Sequence, residues 1–281
     1  MANFGQGRFA GIPPIVKNII IINVLIVFIQ FVLGQKGIDL GDYLGLHYWQ
    51  SPKFRWWQFL THIFMHGSPN DLGMTISHIF FNMYGLFMFG SILENLWGAK
   101  RFIIFYLICG LGAGFCYLGV LGFEFSSFHS SFLHFQEHPT FVEYGQFVRH
   151  NRLADNPFFA QILSFWGQNN DCTDCAGEAI KVINEYYSKI INIGMVGASG
   201  AIFGILFAFG YLFPNTELYI MFIPVPIKAK WAVAGYAAIE LFSGIGRFQG
   251  DNTAHFAHLG GMLFAFIILR FWHKKDRNNF Y

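Results

Sequence analysis

The stretch Gly197-Ala198-Ser199-Gly200-Ala201-Ile202-Phe203-Gly204-Ile205-Leu206-Phe207-Ala208-Phe209-Gly210-Tyr211-Leu212-Phe213 decides how this chain is read. It is almost wholly apolar, it ends at the turn signal Pro214-Asn215, and its first turn holds a lone hydroxyl, Ser199. A helix over these residues covers most of a hydrocarbon layer about 30 Å thick. A hydroxyl set among glycines at the mouth of such a segment is either a helix-packing residue or a nucleophile in need of a base. What else the chain brings to that depth separates the two readings.

The composition agrees with a membrane setting. Of 281 residues, 54% are hydrophobic and only 12% are charged, whereas a soluble domain carries about 25% charged residues. The net charge of +2 makes no case for nucleic acid as a partner. Six apolar segments, at about 18–34, 77–95, 101–121, 197–213, 229–246 and 254–272, predict an all-α membrane protein with six transmembrane helices. No small-residue cleavage site follows the first segment, so it reads as a retained span rather than a signal peptide. Arg8, Lys17, Lys100, Arg101, Lys228, Lys230, Arg270, Lys274, Lys275 and Arg277 all fall on one side of the six spans. The positive-inside rule makes that side cytoplasmic, with both termini inside.

The opposite side carries two long connections. Residues 35–76 are rich in Trp, Tyr and Phe and predict a loop in or on the outer leaflet, with Trp56 and Trp57 as interface anchors. Residues 122–190 form a polar and aromatic insertion between the third and fourth spans, with an amphipathic helix expected over 177–193. Cys172 and Cys175 in that insertion read equally as a local disulfide or as two free thiols. Cys109 and Cys116 read as packing residues within a span.

Depth brings the polar residues together. Ser199 stands about 21 Å of helix rise above Phe213, His258 about 22 Å above His273, and His78 about 24 Å above Glu94. If the inner ends of those helices share one height, the three residues meet several Å beneath the outer surface. Asn82 lies one turn below His78 on the same face. Gly200 with Gly204, and Gly261 with Ala265, give the fourth and sixth segments small-residue faces that permit close approach. No acidic residue is read at a depth suited to orient His258, and Asp251, the nearest in sequence, is placed at the surface. A serine–histidine pair is therefore expected rather than a triad. Glu240, inside the fifth span, is the odd charge, and the sequence leaves it protonated, paired or facing a cavity. His62 and His66, four apart, read as an interfacial pair in preference to metal ligands.

These motifs together resemble the rhomboid intramembrane serine proteases. GASG at 197–200 is similar to the family's GxSG, AHLGG at 257–261 to its AHxxG, and HIFFN at 78–82 to the HxxxN of its second span. WQFLTHIFMH at 57–66 and ENLWGAKRF at 94–102 resemble the family's first-loop segment and the turn between its second and third spans. The resemblance covers nearly all of the chain except 122–190. It implies a six-helix rhomboid-like bundle with a long extracytoplasmic insertion. Ser199 would be the nucleophile and His258 its base, with His78, Asn82 and the Ser199 backbone N–H stabilising the oxyanion. Gly197, Gly200, Phe203 and Gly261 would support the site. It further implies transmembrane protein substrates in the lipid bilayer, no metal or cofactor, and a substrate gate formed by the fifth span and the loop from Phe242 to Asp251. Two positions depart from the family pattern. Gln58 stands where arginine is usual, and Phe203 stands where some members place tyrosine.

The alternatives are a catalytically silent rhomboid-like protein that binds transmembrane helices, and a histidine-lined proton or metal transporter. Against the first, both the serine and the histidine are present. Against the second, the chain shows no inverted repeat. With no organelle targeting signal read, a bacterial inner membrane is the expected location.

Overall fold

The computed structural model describes residues 11–68, 71–169, 171–219, 225–246 and 254–278, with side chains as far as His273. Arg8, residues 247–251 of the Phe242–Asp251 gate loop (Asp251 among them), and the side chains of Lys274, Lys275 and Arg277 lie outside the described residues. The chain divides into two compact units. The first takes the residues up to Leu46, Lys53–Tyr117, and those from Gly194 onward; the second takes His47–Pro52 and Leu118–Ile193.

The first unit holds the apolar helices. Among the described residues, four helices are long and apolar enough to cross a membrane: Pro14–Gly34, Leu72–Trp97, Ala99–Glu137 and His255–His273. The chain is thus an integral membrane protein of mainly helical fold. The two other expected spans are also helices, Ser199–Leu212 and Ala229–Gly246. The former has only 14 residues, short of the roughly 20 a full crossing needs. The latter, of 18 residues, carries Lys230, Glu240 and three glycines, which dilute its apolar character. A two-residue antiparallel pair, Glu217–Leu218 with Ile227–Lys228, precedes it.

Local chemistry explains where these helices begin and end. Pro14 opens the first helix at a position where its missing N–H costs nothing. The orphan N–H groups of Ile15 and Val16 donate instead to the buried Glu94 carboxylate at 3.0 and 2.8 Å. The side chain of Asp71 caps the second helix by accepting from the Met74 N–H at 2.9 Å. That helix includes a π-turn at Leu86–Gly90 and stops at Gly98, whose φ of +79° suits glycine. Val16, Leu86, Phe102, Phe105, Ile202, Ile205 and Ala265 are among the residues that interlock in its core.

The second unit corrects the expectation of an insertion loop at 122–190. The third helix does not stop at 121 but continues to Glu137, and helices Phe141–His150, Pro157–Gln168 and Cys175–Ile190 follow. Thr140 and Asn156 cap two of them with side-chain oxygens. Aromatic residues of this unit form a core. Phe128, Phe132, Phe135, Tyr144, Phe147, Phe159 and Trp166 bury one another together with Ala179 and Ile183. Cys172 and Cys175 are disulfide-bonded, which resolves the even choice left by the sequence.

Candidate functional site

The site is built on the first turn of the Ser199 helix. Ser199 is its first helical residue, following Ala198. The first N–H groups of a helix lack intrahelical partners and carry partial positive charge. The backbone leading into it is tied to the first loop. Leu46 and Met195 exchange N–H···O bonds of 2.8 and 2.9 Å, and the Gly197 N–H donates to the His62 carbonyl at 2.9 Å. The His62 ring in turn engages the Gln58 carbonyl through Nδ1 at 2.7 Å. Gln58 is fully buried. Its amide accepts from the Arg55 N–H at 3.1 Å and donates to the carbonyls of Lys53 and Tyr43 at 2.9 and 3.3 Å. Glutamine therefore supplies polar bonding to the loop at the position where the resemblance leads one to expect arginine.

The Ser199 and His258 helices touch through glycine. A Cβ on Gly261 would overlap the Gly200 carbonyl oxygen, and one on Gly204 would stand 3.1 Å from the Gly261 oxygen. This approach brings the Ser199 Oγ to 2.7 Å from His258 Nε2. His258 is buried and its ring is stacked on Phe203, with centroids 4.2 Å apart and planes 6° from parallel. A phenyl ring suffices for that contact. The other imidazole nitrogen, Nδ1, lies 2.9 Å from Glu240 Oε2, although the contact falls short of good hydrogen-bond geometry. The same carboxylate oxygen is hydrogen-bonded to His255 Nδ1 at 2.7 Å. An acidic group therefore does reach His258, contrary to the depth reading. Counted from Ala229, Glu240 rises only about 16 Å; the length of its side chain and an offset of its helix close the remaining gap.

Beside the serine, the loop is shaped by an absent side chain. Gly197 has φ +133°, and a Cβ there would stand 3.0 Å from His78 Cε1 and Nε2 and 3.5 Å from Ser199 Oγ. The His78 ring and the Ser199 hydroxyl therefore face one small space. Asn82 is buried one turn further along the same helix. His66 packs edge-on to His78 with centroids 5.1 Å apart, and its backbone is held by Gln30 on both sides, N–H to Oε1 and carbonyl to Nε2, each at 3.2 Å. His62 and His66 do not share a helical face, because the 3₁₀ turn His62–Phe64 gives way to extended backbone at Met65. Burial holds the His62 imidazole down to about 4. It holds His66 down to about 3, aided by the neighbouring His78.

The structure thus brings together Ser199, His258, Phe203, Gly197, Gly200, Gly261 and His78 as neighbours, with Asn82 on the His78 helix. Sequence reasoning missed the reach of Glu240 and the work of Gln58 and Gln30. The signal for the first was present: a carboxylate inside an apolar segment needs a partner. A family model described as the Rhomboid domain matches residues 53–127 and 175–275, more than half of the chain. The unmatched interval between them falls within the insertion. The chain is also 31% identical over 119 residues to Rhomboid protein 1, mitochondrial, of Saccharomyces cerevisiae. That alignment covers 40% of this chain and 34% of the yeast protein, so the match spans about a third of that relative's length.

Proposed function

Because this chain belongs to the rhomboid family, we propose that it is an intramembrane serine endopeptidase that cuts transmembrane segments of other membrane proteins. The observation that carries the reading is the 2.7 Å contact between Ser199 Oγ and His258 Nε2. A nucleophile and base within hydrogen-bond reach of each other are the geometric requirement for attack on a carbonyl.

In this reading Oγ bonds to the substrate's carbonyl carbon while its proton passes to Nε2. Collapse of the tetrahedral intermediate breaks the peptide bond, and His258 gives the proton to the departing amine. Water then repeats the sequence on the acyl-enzyme. The oxyanion would be met by the Ser199 N–H, the His78 ring and the Asn82 amide, in surroundings where such donors act strongly. The space that Gly197 leaves beside His78 and Ser199 supports this assignment. Substrate helices would have to unwind locally to expose a carbonyl, so glycine near the cut would favour cleavage. From the charge asymmetry we infer that both termini lie on the cytoplasmic side of the membrane.

A non-cutting, helix-binding relative would not need the two groups in contact. Purified wild type should cleave a model transmembrane substrate and bind a fluorophosphonate probe at Ser199. Ser199→Ala should lower cleavage by at least about 10⁴-fold. Equal cleavage by the two would end the protease reading.

A further inference from the structure

Glu240 is a buried charge beside His258 that the expected mechanism does not use. Its side chain is about 10% exposed and sits in the Ala229–Gly246 helix. A carboxylate there is costly unless paired, and among the described residues two imidazoles from the neighbouring helix meet it. His255 and His258 are three residues apart, so they present from one face, and both Nδ1 atoms approach the single oxygen Oε2, at 2.7 and 2.9 Å. The helices are close at this level: a Cβ on Gly244 would stand 3.0 Å from the Phe256 ring and 3.2 Å from the His255 Cβ.

The chemistry of His258 gives this arrangement a direction. To take the Ser199 proton, Nε2 must carry a lone pair, so the ring proton must sit on Nδ1. An anionic oxygen facing Nδ1 selects that tautomer and compensates the positive charge that appears when Nε2 is protonated. His255, bonded to the same oxygen, keeps the carboxylate in place. The imperfect alignment at His258 fits a site without substrate, where such bonds tighten only in the complex.

The same three side chains have the composition of a metal site, with ligand atoms within 4.8 Å of one another. The separations argue otherwise. Two ligands bound tetrahedrally at about 2.0–2.2 Å stand roughly 3.3 Å or more apart, whereas those here are hydrogen-bond distances.

We propose that Glu240 is a positioning residue: it holds His258 as the Nδ1–H tautomer, which makes the Ser199–His258 pair part of a Ser–His–Glu relay anchored by His255. The proposal rests on the protease reading for its consequence in catalysis, but not for the state of the ring. During attack the proton moves from Oγ to Nε2, and Glu240 stays ionised throughout.

The test uses the full chain in detergent micelles, with ¹⁵N-labelled histidine and a model transmembrane substrate. In wild type the His258 signal, assigned by its loss in His258→Gln, should show the proton on Nδ1. In Glu240→Gln that signal should move toward a mixture of tautomers, and kcat should fall about 10- to 1000-fold with KM changed less than about twofold. A wild-type His258 protonated on Nε2 overturns the proposal even if no variant folds. So does an unchanged kcat in folded Glu240→Gln, or activity that a chelator removes and Zn²⁺ restores. A wild type that shows the Nδ1–H tautomer but neither cleaves nor reacts with a fluorophosphonate would sink the protease reading and leave the positioning role standing.

Discussion

Gly197 shows how much one residue decides. Its φ of +133° is one that a side chain rarely tolerates, and the space its Cβ would fill lies between the His78 ring and the Ser199 hydroxyl. Gly197→Ala should therefore act twice. Backbone strain of about 1–2 kcal/mol lowers stability, and the methyl group intrudes where the oxyanion would sit. We expect kcat/KM to drop by about 100-fold or more while Tm falls by only a few degrees. A variant that keeps wild-type activity would remove the assigned oxyanion space. Ser199 and His258 were legible as residues because a hydroxyl and an imidazole in apolar segments call for explanation. Glu240 called for it as loudly, but its partner depended on side-chain reach and helix offset, which a count of helical rise does not contain.

At the scale of elements, the first loop works as a brace. Gln58 holds the loop backbone, the loop presents the His62 carbonyl, and that carbonyl holds the Gly197 N–H. Replacing the amide by an apolar group of similar size removes the acceptor of the Arg55 N–H and the donor to the Lys53 and Tyr43 carbonyls. Gln58→Leu should cost about 2–3 kcal/mol, seen as a lower Tm in detergent and as reduced probe labelling of Ser199. Unaltered Tm would mean that the loop holds its shape without the amide. The apolar pattern set the first two spans at 18–34 and 77–95, a few residues inside the helices Pro14–Gly34 and Leu72–Trp97, because Pro14, the Asp71 cap and Gly98 fix those ends by local chemistry that an apolar count does not carry. The extension of the third helix to Glu137 was not readable, because polar serines and histidines enter its second half and ended the apolar pattern used to trace it.

At the scale of the whole molecule, burial makes stability depend on acid. His62 and His66 are kept neutral in the fold, with pKa values of about 4 and 3, against about 6.5 in an unfolded chain. Above pH 6.5 neither state takes up the protons and the stability is fully present. As pH falls from 6.5 toward 4, the unfolded chain binds protons that the fold refuses, so stability declines. Tm in detergent should be lower at pH 5 than at pH 7.5, and His62→Gln should flatten that slope. A flat Tm across the interval in wild type would show that water reaches these rings. The second unit adds a separate lesson. Its phenylalanines do not declare their role along the sequence, because alternation of aromatic and polar residues serves an interface and a small helical core equally well.

The sequence by itself established a helical membrane protein, the family its motifs resemble, and the serine and histidine to test. Composition, apolar run length and motif order are local or additive properties, and they survive being read along a line. Only the tertiary structure decided that a carboxylate meets the second imidazole nitrogen of His258, that glutamine braces the loop, and that residues 118–193 possess their own core. Each of these depends on angles and offsets between helices distant in sequence, and hydrogen-bond distances are smaller than the uncertainty of any estimate made from helical rise alone.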